Sequence, residues 1–330
     1  LLNSVNSLDS DQSFVLDLFT TIDNEYDSVI TASHVSECIS SLKSNKAKGK
    51  DGLQAEHLKF CSLRLNVLLS LLFNSMICHG FLPADMIETI LVPVLKDKQG
   101  DISSTDNYRR IAITSVLSKV FESILMILYD QLVTHPNQFG FKKGHSTDMC
   151  SFVLKSVIDL YSSMSSPVFI CFLDARKAFD RVNFWLLFRK LYVRCIPLII
   201  IRLLAFWYTH QLFTVKWGTC SSKSFYVSNG VRQGGVLSPL LFNIYTDDLI
   251  ATLNSVPYGC MYNNLTINNL NYADDMVLMA PSASGLQKLL LLCEQFAREC
   301  DILFNPKKSV CMCVKPKGIP GFCSSECLSQ

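Results

Sequence analysis

Two adjacent carboxylates, Asp274 and Asp275, sit between Leu270-Asn271-Tyr272-Ala273 and the apolar run Met276-Val277-Leu278-Met279-Ala280. Acidic residues are poor strand formers, so a pair wedged between strand-like segments belongs at a hairpin tip. Side by side at the mouth of an apolar hairpin, the two repel unless a cation sits there. Asp-Asp alone would read as an ordinary acidic turn, but a second segment supplies a partner. Val168-Phe169-Ile170-Cys171-Phe172-Leu173 has the pattern of a buried strand, and it ends on Asp174. One carboxylate at a strand end, beside a hairpin carrying two more, is a layout for two Mg2+ ions. Such ions, about 3.5–4 Å apart, activate an attacking hydroxyl and stabilise a leaving pyrophosphate. The chemistry implied is in-line phosphoryl transfer, in which positioning and charge neutralisation do most of the catalysis.

Further segments follow a fixed order around these aspartates. They are Lys46-Ala47-Lys48-Gly49-Lys50-Asp51-Gly52-Leu53, Asn107-Tyr108-Arg109-Arg110-Ile111 and Asn137-Gln138-Phe139-Gly140-Phe141-Lys142-Lys143-Gly144. After Asp174 come Ala178-Phe179-Asp180-Arg181-Val182, then Gly230-Val231-Arg232-Gln233-Gly234-Gly235-Val236-Leu237-Ser238-Pro239, and last Asn305-Pro306-Lys307-Lys308. Together with Tyr272-Ala273-Asp274-Asp275 they resemble a reverse transcriptase of the non-LTR (LINE-like) retrotransposon type, from about Val29 to Val314. Any one of these segments would be weak evidence; seven in order are specific. Arg110 stands where the family often has proline and Gly235 where it usually has serine or cysteine, and neither change removes a metal ligand.

The resemblance implies an α+β fold of the right-hand polymerase kind: fingers and palm, with an antiparallel palm sheet and helices packed on one face. It implies that Asp174, Asp274 and Asp275 are catalytic and hold two Mg2+ ions, with Mn2+ as an alternative. Lys308 would protonate or neutralise the pyrophosphate. Arg109 and Lys96 would grip the triphosphate, for which a guanidinium is well shaped. Phe179 would be the steric gate that rejects a ribose 2′-OH, although its type and spacing alone suit a core aromatic. Gln233 and Gly234 would lie under the nucleotide, where a missing side chain lets the backbone approach. Asp180 reads as a helix cap, and Asp247 and Asp248 as solvated or supporting acids within a helix.

The 330 residues are 49% hydrophobic with mean hydropathy +0.26, enough for a large packed core in two or three subdomains. The division expected is a lead-in over 1–30, a fingers-like region over 31–160, a palm over 161–315, and a tail or the start of a truncated thumb over 316–330. Leu1 in place of a start methionine reads as a fragment or an incomplete gene model. No apolar run reaches the roughly 18 residues of a membrane span and no signal peptide opens the chain, so no membrane partner and a nuclear and cytoplasmic location are expected. The 14 cysteines are scattered and read as reduced; Cys311, Cys313, Cys323 and Cys327 fit no standard zinc spacing. Net charge is only +2, but lysine clusters at 43–50 and 142–143 and the Arg109-Arg110 pair fall in the fingers-like region.

The partners implied are an RNA template, a DNA primer or target, dNTPs, and the element's RNA in a ribonucleoprotein. Two other readings stay open. One is a group II intron-type or other cellular reverse transcriptase; the other is a non-catalytic RNA-binding remnant of an inactive element. Helical spacing covers Val35 to Leu42, the region up to about Cys78, and 115–133, 183–192, 198–208 and 238–253. Ser284 to Gln287 has capping-box spacing ahead of a helix with Leu286, Leu289, Cys293 and Phe296 on one face.

Overall fold

The computed structural model describes residues 2–20, 30–129 and 132–316. They form two compact units that interleave along the chain, 1–133 with 182–241 and 134–181 with 242–330. Residues 134–160, grouped with the fingers-like region by sequence order, are thus part of the unit that holds the aspartates.

In the first unit the strand Glu88–Leu95 pairs antiparallel with Tyr108–Thr114 and parallel with Leu212–Trp217. Helices surround this sheet for readable reasons. Leu63–His79 stops at Gly80, whose φ of +60° is a left-handed cap that glycine adopts without a Cβ penalty. Val116–Leu128 starts at Ser115, whose hydroxyl accepts from Leu117 N. Leu198–Thr209 begins after Pro197 and is apolar nearly all round, so it is buried nearly all round.

The lysine- and glycine-rich loop is anchored by Asp51. Its carboxylate accepts from Leu53 N (3.1 Å) and from the Ser115 hydroxyl (2.7 Å). The expected loose lead-in contains a helix instead, Leu2–Thr20. Asp11 pairs with Arg189 at 2.7 Å, Val15 is buried, and Phe14 meets Tyr192 edge-on beneath the Arg189 guanidinium. Its Ser/Asp-rich composition hides an apolar edge that becomes visible only when the helix Phe184–Val193 is there to receive it.

The second unit carries a four-stranded antiparallel sheet in the order Val310–Val314, Val168–Asp174, Asp275–Ala280, Asn269–Tyr272. Alternate residues of a strand share a face. Ile170, Phe172 and Asp174 therefore share a face with their partners Met279, Val277 and Asp275, while Cys171, Leu173, Met276 and Leu278 point the other way. The helix Ala283–Glu299 covers that second face with Leu286, Leu289, Cys293 and Phe296, each buried Leu or Phe contributing about 1.5–3 kcal/mol. Its cap is Ser282, whose hydroxyl accepts from Gly285 N, so Ser284 lies inside the first turn.

Cover is not confined to that face. The helix Thr147–Ser163 lays Val157 and Tyr161 against Val168, Ile170 and Met279, leaving Phe172, Val310 and Met312 exposed. Cys311 lies directly across the ladder from Cys171. Both are free thiols, and Cys323 and Cys327 of the considered zinc set are outside the described residues. Among the described residues no helix is long and apolar enough to cross a membrane.

Candidate active site

The Asp174 strand is central in its sheet, so its end is fixed from both sides. On one side Asp174 is the ladder partner of Asp275. The register places Asp275 on the same face as Asp174. On the other side Asp174 is clasped by the turn after the last helix. Asn305 N donates to the Asp174 carbonyl (2.8 Å), Asn305 Nδ2 donates to Asp174 Oδ2 (3.3 Å), and Asp174 N donates to Ser309 Oγ (3.3 Å). Neither Asn305 nor Ser309 was expected at the site. The signal available was Asn305-Pro306, a turn-forming pair directly before the two lysines.

Asp274 occupies the two-residue loop between Asn269–Tyr272 and Asp275–Ala280, after Ala273 at φ +59°. A positive φ at the first loop position is that of the tight hairpin turns whose twist suits the flanking strands. Asp274 is half-buried and its carboxyl is pushed above the usual carboxylate range, first by burial and then by the charges of Asp275 and Asp174. Asp275 is pushed up too, by desolvation and by Asp174, with Lys308 working in the opposite direction. Lys308 is thus close enough for its charge to act on Asp275.

The raised carboxyls make a prediction with a definite sign. A carboxyl whose folded pKa exceeds its unfolded value, about 3.9 for Asp, adds no cost below that value. The cost grows as pH rises through the folded pKa. Asp274→Asn therefore raises Tm in EDTA at pH 7, and the gain closes as pH falls toward 4. Thermal unfolding of both proteins across that range checks it; a constant difference, or none, contradicts the electrostatic account.

Phe179 lies five residues past Asp174, stacked on Phe242 at 4.7 Å and edge-on to Phe141 at 6.0 Å. It is half-buried, so neither the gate nor the core aromatic is singled out by burial. Asp180 is not the helix cap: Asn183 Oδ1 accepts from Trp185 N and Leu186 N. Asp247 Oδ1 accepts from His135 N at 2.6 Å, and Lys142 donates to the carbonyls of Thr134 and His135. That half-buried lysine, read as part of a basic cluster, serves the loop that leads to Gln138.

The remaining candidates belong to the first unit. The pairing of Val94 with Arg109 puts Arg109 and Lys96 on one face of their sheet; Lys96 Nζ donates to the Asp106 carbonyl at 2.8 Å and Arg109 is exposed. Gln233 O accepts from Ala112 N (2.7 Å). Gly234 has φ +111°, and a Cβ there would lie 2.9 Å from the Ala112 carbonyl oxygen, so both backbone angle and contact require glycine. Behind that turn Glu122 is fully buried. It pairs with Arg232, which lies over the Trp207 ring, and accepts from Val236 N and Leu237 N. Nothing in the local pattern of the helix Val116–Leu128 marks its one buried acid as the anchor of a loop 110 residues away.

Asp174, Asp274 and Asp275 form a set of hard oxygen donors on one sheet end. Among the described residues no group of three or more His, Cys, Asp or Glu side chains is gathered closely enough to hold a metal ion. A closed cage is not what Mg2+ requires, since it is commonly held by one or two carboxylates plus substrate phosphates and water.

An antiparallel sheet that brings one carboxylate from a central strand to two on the adjoining hairpin is the arrangement the sequence resemblance implies for a polymerase palm. The chain belongs to the reverse transcriptase (RNA-dependent DNA polymerase) family, whose model matches residues 95–323. It is 29% identical over 301 residues to a probable RNA-directed DNA polymerase from transposon X-element of Drosophila melanogaster, covering 87% of this chain and 32% of that protein. It is 28% identical to the RNA-directed DNA polymerase from mobile element jockey of Drosophila funebris, covering 84% and 31%. It is 29% identical to a Pol polyprotein from the R2 retrotransposable element of Popillia japonica, covering 82% and 38%.

The chain thus spans about a third of the length of these relatives. Among solved structures, apo telomerase from Candida tropicalis truncated from its C-terminal domain superposes with a TM-score of 0.52 at 12% identity, over 83% of this chain and 59% of that one. That likeness is one of fold.

Proposed function

We propose that this chain is the polymerase core of a LINE-like retrotransposon reverse transcriptase, extending a DNA 3′ end on an RNA template. The observation that carries the reading is the Asp174–Asp275 ladder pair with Asp274 beside it, inside a chain of the reverse transcriptase family. The relatives named for mobile elements favour this source over an intron. Asp174, Asp274 and Asp275 would hold Mg2+, which when bound supplies charge neutralisation at the nucleotide's phosphates. Lys308 stands by Asp275 as the cation for the departing pyrophosphate. Arg109 and Lys96 are our candidates for gripping the triphosphate, and Gln233 with Gly234 offers it a backbone platform without a side chain in the way. An RNA–DNA heteroduplex would be recognised by its A-form shape and backbone.

The test is primer extension by the purified protein on an RNA template with Mg2+ and dNTPs. Template-dependent incorporation supports the reading. Binding of RNA without incorporation, with Mg2+ or Mn2+, would leave the non-catalytic remnant instead.

Sugar choice gives a second, separate expectation. With Phe179 as the gate, Phe179→Val admits a 2′-OH, and the ratio of ribonucleotide to deoxynucleotide incorporation rises at least tenfold. Loss of the ring stacked on Phe242 also lowers Tm. A fall in Tm with unchanged sugar discrimination returns Phe179 to the core.

A further inference from the structure

The hairpin turn that carries Asp274 is held by a side chain from a distant loop. Gln138 is completely buried. Its Oε1 accepts from Gly140 N (2.8 Å) and from Ala273 N (2.9 Å), and its Nε2 donates to Ala273 O (3.2 Å). Both backbone polar groups of the residue preceding Asp274 are thus taken by one amide. The loop's own backbone continues the grip. Phe139 N donates to Asn271 O (2.8 Å) and Asn271 N donates to Asn137 O (2.9 Å), an isolated parallel bridge that ties 137–139 to the hairpin.

Gly140 completes the contact. A Cβ there would fall 2.2 Å from Ala273 N, which no side-chain adjustment relieves because the obstacle is backbone. Asn243 Nδ2 fixes the loop from the far side by donating to Gly140 O (2.9 Å). The turn also borders a small pocket lined by Gln138, Ala175, Phe242, Thr246, Met276 and Phe304. Ala273 itself is in a left-handed conformation that a non-glycine residue adopts at a cost of about 1–2 kcal/mol. The strained turn residue Ala273 has its own N–H and C=O both bonded to one buried side chain, and that clamp holds the turn in place.

We propose that Gln138 is a positioning residue that sets the place of Asp274 through Ala273, and so governs how tightly the acidic pair takes up a divalent cation. The proposal rests on the polymerase reading of the site, but it is tested with readouts that do not require polymerisation. Two variants separate the contributions. Gln138→Met keeps the length and loses every hydrogen bond. Gln138→Glu keeps the acceptor for Gly140 N and Ala273 N and loses the donor to Ala273 O.

Three measurements are made on the full chain. In amide hydrogen exchange, Gln138→Met speeds exchange at Ala273 at least tenfold while the amides of Val168–Asp174 stay within threefold. Gln138→Glu stays within threefold at both places. In Mn2+ binding followed by electron paramagnetic resonance, Gln138→Met weakens affinity at least fivefold and Gln138→Glu restores part of the loss. In primer extension, Gln138→Met lowers kcat at least tenfold with the KM for primer–template within twofold.

Exchange at Ala273 and Mn2+ affinity within twofold of wild type in a folded Gln138→Met overturn the proposal. General unfolding of both variants, seen as fast exchange throughout the sheet, also overturns it by making Gln138 a core residue only. Wild-type protein that binds Mn2+ but extends no primer sinks the polymerase reading and leaves the first two readouts to decide on Gln138.

Discussion

Asp174→Asn and Asp274→Asn should each abolish primer extension, while RNA binding should persist. On the proposed reading, each substitution removes one carboxylate charge from the set that would hold Mg2+ at the nucleotide's phosphates. A metal contribution of several kcal/mol, taken as about 4 kcal/mol, corresponds to roughly 10^3 in kcat. RNA affinity depends on cationic groups, so losing a carboxylate leaves it unchanged or slightly tighter. The effect should follow position rather than charge alone. The exposed acid Asp248, on the helix Ser238–Ser255, serves as the control, and Asp248→Asn retains activity. Steady-state extension rates beside filter-binding affinities check all three. Either active-site variant retaining wild-type kcat would sink the assignment of the metal-binding set.

The second large effect is on stability and concerns Glu122. Removing one partner of a buried ion pair costs about 3–5 kcal/mol, because the survivor is left charged and unsolvated. Glu122→Ala strands Arg232 over the Trp207 ring and leaves Val236 N and Leu237 N without their acceptor. We expect Tm to fall by about 10 °C, with soluble yield dropping in parallel. Glu122→Leu combined with Arg232→Leu recovers only part of this. The charge problem disappears in the double variant, but the two backbone donors remain unpaired. Calorimetry of the single and double variants distinguishes the two parts. A single variant within 2 °C of wild type means that the pair is dispensable.

The sequence showed what is local and missed what is not. The run ending on Asp174, the acidic tip at Asp274-Asp275 and the stripe Leu286, Leu289, Cys293, Phe296 each follow from a pattern within one element, and each stands where the pattern put it. Helix starts were less legible. Ser282 and Ser284, or Asp180 and Asn183, are all competent caps by type, and only the observed hydrogen bonds choose between them. The supports were not legible at all. Asn305 reaches Asp174 across 131 positions and Gln138 reaches Ala273 across 135, and nothing periodic in either segment points to the other. Composition also misled at the N-terminus, where serines and aspartates conceal a helix that packs through Phe14 and Val15.

The order of strands in the aspartate sheet has a consequence for synthesis. The central strand Val168–Asp174 takes both neighbours from later in the chain, beginning at Asp275 and Val310. At roughly 5–20 residues per second, the first neighbour leaves the ribosome about 5–20 s after Asp174. During that interval a six-residue apolar segment has both edges unpaired, the condition that invites association with other chains. A ribosome that stalls before Asp275 therefore yields a sticky product rather than a merely inactive one. Chaperone binding to nascent chains arrested between 180 and 270 should exceed binding to chains arrested after Val314.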